Sequence, residues 1–142
     1  MKRIVLISVL LSLSLVAPLY AQDFEAGMRA YKIKNYTTAI REWTPLARSG
    51  DAQAQNSLGF MYESGRGVKK DLKKAADWYR KAAEQGHVRA QMKLGELYEA
   101  GRGYAEALKW YLKAAEQGQA RAQYTLARLY WYGRGAKKDF AL

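Results

Sequence analysis

The residues of this 142-residue chain that could do chemistry are mainly carboxylates, and two of them recur. Glu84 and Glu116 stand in identical Ala-Ala-Glu-Gln-Gly segments. Paired carboxylates perform general acid–base catalysis only when they share a cleft, and nothing in this pattern builds one. Each glutamate instead follows a lysine by three residues, Lys81 or Lys113, which favours a charge pair along one helix face. We therefore predict that the chain is not an enzyme.

Composition restricts metal and cofactor chemistry. The chain has no cysteine and one histidine, His87, which excludes Cys-ligated zinc, iron–sulfur clusters, disulfides and a thiol nucleophile. Zinc sites that need two imidazoles are excluded as well. His87 follows Gly86 at the start of a predicted helix, so we expect it to be a surface residue. No cofactor and no metal site is predicted.

The first 21 residues have the pattern of an export signal. Lys2 and Arg3 precede an apolar run from Ile4 to Ala17, and Ala21 precedes a polar stretch. The run has about 14 residues, fewer than the roughly 20 of a membrane-spanning helix. We predict a signal peptide cleaved after Ala21, and an exported protein, periplasmic or secreted, whose mature chain has no transmembrane segment. A membrane anchor is the alternative interpretation.

The rest of the chain repeats itself. One block occurs at 54–67, 90–103 and 122–135, with starts 36 and 32 residues apart, and a second block occurs at 76–86 and 108–118. In both blocks the apolar residues have the spacing of an amphipathic helix. The first-block stripes are Ala54, Leu58, Met61, Tyr62; Ala90, Leu94, Leu97, Tyr98; and Ala122, Leu126, Leu129, Tyr130. The second-block stripes are Ala75, Trp78, Tyr79, Ala82, Ala83; and Ala107, Trp110, Tyr111, Ala114, Ala115.

Glycine and aspartate mark the helix ends. Asp51 and Asp71 are expected to cap the helices that follow them. Glycines follow the predicted helices at positions where a residue with positive φ ends a helix without a Cβ clash. These glycines are Gly50, Gly65, Gly67, Gly86, Gly101, Gly103, Gly118, Gly133 and Gly135.

Two further glycines lie inside predicted helices. Gly59 and Gly95 each cost about 1 kcal/mol in helix propensity, so their recurrence predicts a close helix crossing that a side chain would block. The third block has Ala127 at this position. We expect looser packing at that crossing.

Residues 23–50 predict an earlier helix pair with a turn near Lys34 and Asn35. Pro45 is expected to bend the second of these helices or to end it early. The inner stripe of that helix is predicted to be Ala39, Trp43, Leu46 and Ala47.

The combination L-G-x-x-Y-x-x-G-x-G, then W-Y-x-K-A-A-E-Q-G, then A-Q resembles the Sel-one-like repeat, a relative of the tetratricopeptide repeat. The resemblance implies an all-α fold, an α-solenoid of antiparallel helix pairs in a right-handed superhelix with about seven helices after the signal peptide. It also implies a protein-interaction scaffold without catalytic activity. The units are the signal peptide 1–21, a degenerate tetratricopeptide-like pair 22–50, and repeats 51–86, 87–118 and 119–142.

Two departures from the family pattern stand out. The second repeat lacks the four residues that match Val68 to Asp71, so we expect a shorter link between its helices. The third repeat has no partner helix in this sequence, which leaves Tyr130, Trp131 and Tyr132 near an uncovered end. We expect either a longer array or self-association through this end.

If tetratricopeptide geometry applies, the first helix of each pair lines a concave face that binds a protein or peptide partner. Large apolar, aromatic and arginine side chains at such positions are typical of binding surfaces. The alternative is that they pack between neighbouring repeats. The candidate residues, with Met28 beside them, are Tyr31, Gln53, Asn56, Phe60, Glu63, Arg89, Met92, Glu96, Glu99, Arg121, Tyr124, Arg128 and Trp131.

The basic charge offers a second interpretation. Loss of Lys2 and Arg3 with the leader takes the net charge from +11 to +9. Arginine recurs at 66, 102 and 134, and lysines at 69, 70, 73, 74, 137 and 138 cluster beyond the Gly-Arg-Gly turns, a pattern that could bind a polyanion. Export makes nucleic acid an unexpected partner, which leaves an anionic glycan or lipid head group. The turns themselves lack the strand and flanking glycines of a phosphate loop.

Overall fold

The computed structural model describes residues 24–135, and these form seven helices and no strand. The predicted signal peptide and the segment 136–142 lie outside the described residues. The helices are α1 (24–32), α2 (Tyr36–Arg48), α3 (Ala52–Ser64), α4 (Leu72–Glu84), α5 (Val88–Ala100), α6 (Tyr104–Glu116) and α7 (Ala120–Trp131). From α2 to α7, the extensive contacts join helices that are consecutive in the chain. This is the predicted all-α solenoid of helix pairs.

Most residues of the predicted apolar stripes form the core, but Tyr130, predicted in the stripe of α7, is 51% exposed. Ala54, Leu58 and Met61 of α3 are buried, as are the four predicted stripe residues of α2. Tyr79 of α4 and Tyr111 of α6 are the largest fully buried side chains. None of the helices between residues 24 and 135 is long and apolar enough to cross a bilayer.

The close crossings at Gly59 and Gly95 are confirmed. A Cβ on Gly59 would lie 2.6 Å from Cδ1 of Tyr79, and one on Gly95 would lie 2.7 Å from Cε1 of Tyr111. The neighbour that excludes a side chain is thus an aromatic ring of the paired helix. Ala127, the counterpart of these glycines, is exposed on α7.

The predicted aspartate caps are confirmed, and two more caps are present. Asp51 accepts a hydrogen bond from the backbone N–H of Ala54 (2.7 Å), and Asp71 accepts one from that of Lys74 (3.0 Å). Asn35 caps α2 in the same way. His87, expected on the surface, is half-buried and caps α5 through Nδ1.

The glycine prediction is correct at Gly50, Gly86 and Gly118 and in the Gly-Arg-Gly turns of the first and third repeats. It is wrong in the corresponding turn of the shortened second repeat. Gly65, Gly67, Gly133 and Gly135 all have positive φ. Gly101 has φ −81° and Gly103 has φ −79°. In their place Arg102 has φ 63°. The loop between α5 and α6 is four residues shorter, so it turns over one residue and needs no left-handed glycine.

Pro45 does not end its helix early. It lies inside α2, which continues to Arg48. Proline fixes φ near the helical value and removes one N–H donor. Pro45 is exposed on the surface of α2.

Glutamines join one repeat to the next. Gln55 donates to the carbonyl of Ala47 (3.0 Å), and Gln91 donates to that of Ala83 (3.1 Å). At the end of the second repeat, Gln117 donates to the Gln91 side chain (2.9 Å) and to the carbonyl of Gly86 (3.1 Å). The first repeat has the same bonds, from Gln85 to Gln55 and to Gly50. The recurring glutamines of the A-Q and E-Q-G motifs thus fix the position of successive repeats.

Candidate functional site

One groove of about 450 Å³ runs across the odd-numbered helices. Seven of the thirteen predicted site residues line it, which places the first helices of four consecutive pairs around one depression. These seven are Tyr31, Asn56, Phe60, Arg89, Met92, Glu96 and Arg121. Met28, Trp43, Ser57, Tyr79, Lys93 and Gln119 complete its lining. We call this depression the helix groove.

Aromatic and methionine side chains form one end of the helix groove. The Tyr31 ring lies 6.1 Å from that of Trp43 and 6.3 Å from that of Phe60, centroid to centroid. The guanidinium of Arg66 lies over the rings of Tyr31 and Phe60, at 5.9 and 5.4 Å, and donates a hydrogen bond to the Tyr31 hydroxyl. Stacking of this kind holds large side chains in place at the surface.

Charged side chains form the other end. The Lys93 ammonium lies between the carboxylates of Glu63 (3.3 Å) and Glu96 (3.2 Å), and Arg121 pairs with Glu96 (2.9 Å). Burial alone would lower the pKa of Lys93, but the two carboxylates outweigh it and the pKa is raised. Sequence reasoning missed Lys93, although it stands one turn before Glu96 on the same helix. In the described part of the chain, no carboxylate lies within 4 Å of the exposed Arg89 guanidinium.

Glu63 and Glu99 each accept a hydrogen bond from a core tyrosine. The Tyr79 hydroxyl donates to Glu63 (2.6 Å), and the Tyr111 hydroxyl donates to Glu99 (3.0 Å). Arg128 pairs with Glu99 at 2.6 Å. Burial, reinforced by the adjacent carboxylate, raises the pKa of both tyrosines. These predicted site residues therefore have structural contacts that hold helix pairs together.

Asn56 has an unusual position in the groove wall. Its carbonyl oxygen Oδ1 is buried and is the one buried side-chain polar atom among residues 24–135 without a hydrogen-bond partner. A buried acceptor without a donor costs about 1–3 kcal/mol. The neighbouring Gln55, in contrast, donates to Ala47 and accepts from Gln85.

Met92, one of the seven lining residues, is 94% buried in the α5–α7 core. The other six predicted residues do not line the helix groove. Gln53 is exposed at the start of α3. Tyr124 and Trp131 project from α7, with 72% and 76% of their surface exposed. The structure thus brings together the α1 candidate, two of the four candidates on α3, three of the four on α5 and one of the four on α7.

The lysines that were predicted to pair with Glu84 and Glu116 lie over tryptophan rings. Lys81 lies over the ring of Trp78 (4.5 Å) and Lys113 over that of Trp110 (5.5 Å). Among the ion pairs of residues 24–135, neither lysine pairs with the glutamate three residues on, so the predicted helix-face pairing is wrong. An aromatic face one turn away holds the lysine instead. Within that range, no cluster of three His, Asp or Glu could hold a metal ion.

Comparisons with a family model and with solved structures all match Sel1 repeats. Residues 52–87, 88–119 and 120–142 match the family model of the Sel1 repeat. A Sel1 repeat protein from Oxalobacter formigenes has a similar crystal structure, with a TM-score of 0.80 and 41% sequence identity. The protective antigen c5321 of uropathogenic Escherichia coli, which displays an SLR fold, matches with a TM-score of 0.80 and 34% identity.

Each match covers only part of the length of the related protein. The two structural matches cover 84% of this chain but 53% and 27% of the chains they match. A component of an ERAD-associated E3 ubiquitin-protein ligase, HRD3 of Candida glabrata, is 39% identical over 59 residues, which are 42% of this chain and 7% of that protein. The chain thus spans from a small fraction to about half of the length of these relatives.

Proposed function

Because this chain belongs to the Sel1 repeat family, whose members are typically protein–protein interaction scaffolds, we propose that it binds a protein or peptide partner in the helix groove. Sel1 repeat proteins are generally non-enzymatic, and we extend this to the present chain. Concave surfaces built from successive repeats are the binding surfaces of solenoid proteins.

The observation that carries the proposal is the combination of groups in the helix groove. Phe60, Tyr31 and Met28 offer apolar surface, which supplies most of the binding energy of protein interfaces. Beside them, Arg89 has no carboxylate within 4 Å in the described part of the chain. Asn56 adds a polar side chain to the groove lining. A partner segment with an apolar side chain next to a carboxylate would satisfy the apolar surface and Arg89.

We further propose that the protein is exported, because its first residues have the signal-peptide pattern. Cell fractionation followed by N-terminal sequencing tests this. A mature chain that begins at Gln22 in the periplasmic or culture fraction is the expected result. Full-length chain retained in the cytoplasm would contradict it.

The binding proposal is tested by affinity capture with the purified protein as bait. Phe60→Ala and Arg89→Glu are expected to lose the captured partner. Arg48→Glu is the matched control for charge, because Arg48 is exposed at the end of α2 and outside the groove lining. Capture that is the same for all three variants would exclude the helix groove. Loss of capture at high salt alone, with the groove variants unaffected, would favour the basic surface and an anionic glycan or lipid head group.

A further inference from the structure

A second depression, of about 410 Å³, lies at the solenoid edge where the Gly-Arg-Gly turns are found. It is located between the start of α4 and the end of α5, away from the helix groove. Its lining is apolar except for one lysine and comprises mainly Leu72, Lys73, Ala76, Leu94, Leu97 and Tyr98. We call it the edge hollow.

In the first and third repeats, the glycine turn covers the start of the preceding even-numbered helix. A Cβ on Gly67 would lie 2.8 Å from the Cβ of Tyr36, the first residue of α2. A Cβ on Gly135 would lie 2.7 Å from the carbonyl carbon of Tyr104, the first residue of α6. Arg66 lies over the Tyr36 ring (5.6 Å), as Arg134 does over the Tyr104 ring (5.3 Å). Each of these two turns therefore covers the first residue of the preceding even-numbered helix, Tyr36 of α2 or Tyr104 of α6.

The shortened turn of the second repeat does not reach the start of α4. A Cβ on Gly103 would meet Tyr98 of its own repeat, at 3.4 Å, and no atom of α4 lies among its nearest contacts. Leu72, the counterpart of Tyr36 and Tyr104, is left 49% exposed.

A small residue enlarges the same space. Ala76 is the counterpart of Ile40 in α2 and Leu108 in α6, since all three stand four residues after the first residue of their helices. The edge hollow thus results from two local differences, a missing loop segment and a missing aliphatic side chain.

We propose that the edge hollow binds an acidic polypeptide segment of a partner protein, which inserts one aliphatic side chain between α4 and α5. The first repeat shows that polypeptide fits this edge, because its own loop lies there and its Val68 packs against the core of α1–α3. The hydroxyl of Tyr98 accepts a hydrogen bond from Arg80 (2.6 Å). The edge hollow therefore offers the partner segment mainly apolar contact. This surface is additional to the helix groove.

The charge around the edge hollow selects the partner. Lys73 lines it, and Lys69 and Lys70 lie in the loop that leads into α4. None of the three pairs with a carboxylate within 4 Å anywhere in residues 24–135. Exposed lysines of this kind attract acidic segments and reject basic ones.

The test uses a synthetic acidic peptide with one central valine and blocked ends, titrated into the ¹⁵N-labelled protein. We expect amide shifts centred on Leu72, Ala76 and Gly101, and binding that weakens with salt. A peptide with serine in place of the valine is expected to bind at least fivefold more weakly, because the aliphatic side chain supplies the apolar contact. Equal binding of the two peptides would overturn the proposal.

Ala76→Leu fills the hollow with the residue that α6 carries at the same position, and we expect it to weaken binding at least tenfold. Ala105→Leu is the matched control, since Ala105 is an exposed alanine of α6, and it is expected to bind like the parent. Lys73→Glu, a surface change that leaves packing intact, is expected to weaken binding at least fivefold. Unchanged affinity in Ala76→Leu or Lys73→Glu, or shifts centred on Phe60 in the helix groove, would overturn the proposal.

Discussion

The ring of Tyr79 in α4 lies against Gly59 in α3, at a distance that leaves no room for a Cβ between them. The hydroxyl of the same tyrosine donates to Glu63, one turn further along α3. One side chain thus fixes both the separation and the axial position of two helices. Tyr111, Gly95 and Glu99 repeat this arrangement in the next pair.

Gly59→Ala is expected to destabilise the protein although alanine is the better helix former. The propensity gain is about 1 kcal/mol, but displacing the Tyr79 ring costs more, and overpacking of this kind typically costs 1–3 kcal/mol. Urea unfolding followed by circular dichroism measures the difference. Ala127→Gly, at the exposed counterpart on α7, should lower the free energy of unfolding only by the difference in helix propensity, about 1 kcal/mol. A Gly59→Ala protein more stable than the parent would show that the ring moves freely.

Gln91→Ala is expected to lower the free energy of unfolding by about 1–3 kcal/mol, because it removes two side-chain hydrogen bonds of about 0.5–1.5 kcal/mol each, one to the carbonyl of Ala83 and one from Gln117. The Ala83 carbonyl keeps its bond from the Gly86 N–H. Gln123→Ala is the matched control. Gln123 is exposed and its bond to Ala115 is long, at 3.4 Å, so a change below about 0.5 kcal/mol is expected. Equal effects of the two substitutions would mean that the buried glutamine bonds add no stability.

His87 should make stability depend on pH. Burial, with a further contribution from Arg89, lowers the pKa of His87, and its Nδ1 accepts the capping bond from Ala90. The cap is therefore present above the unfolded-state pKa of about 6.5 and is lost as pH falls through the lower folded-state pKa. A helix cap contributes about 1 kcal/mol.

The measurement is urea unfolding at pH 8 and at stepwise lower pH, for the parent and for His87→Asp. The substitution places at position 87 the residue that caps α3 at the equivalent position 51. It should keep the cap and remove the histidine part of the pH dependence. Parallel stability curves for the two proteins would contradict this role of His87.

Asn56→Ala separates binding from folding. It removes a buried acceptor that has no donor, so the free energy of unfolding is expected to stay unchanged or to rise by about 1 kcal/mol. Partner capture is expected to fall. Ser57→Ala, on the same stretch of groove wall, is the control for loss of a neighbouring polar group. A clear loss of stability in Asn56→Ala would show that the amide has a structural role.

Self-association is expected to depend on α7. Tyr130, Trp131 and Tyr132 are consecutive and exposed at its end, and Tyr124 is exposed earlier on the same helix; large exposed aromatic groups mark interaction surfaces. Light scattering over a concentration series should show dimers or larger species that Trp131→Ser reduces. Ile33→Ser, an equally exposed apolar position at the other end, should have no effect. A monomer at every concentration would exclude this interface.

Features that follow from the spacing of residue types were predictable, and features that depend on loop length or on side-chain contacts between paired helices were not. The alanine and leucine stripes, the aspartate caps at 51 and 71, and the restriction at Gly59 all follow from spacing within one or two helices. The left-handed conformation of Arg102 depends on the length of its loop. Among the predicted site residues, Phe60 and Arg89 line the helix groove, and their role in binding stays a prediction. The contact of Glu63 with Tyr79, sixteen residues away, depends on how two helices pair.

The bonds that join the repeats are formed by neutral glutamine amides and backbone carbonyls. Such groups do not titrate, and dissolved ions screen them far less than they screen charge pairs. One end of the helix groove, in contrast, is formed by charged lysine, arginine and glutamate side chains. Changes in ionic strength are therefore expected to alter what this protein presents to a partner in the helix groove, while the bonds between its repeats stay unchanged.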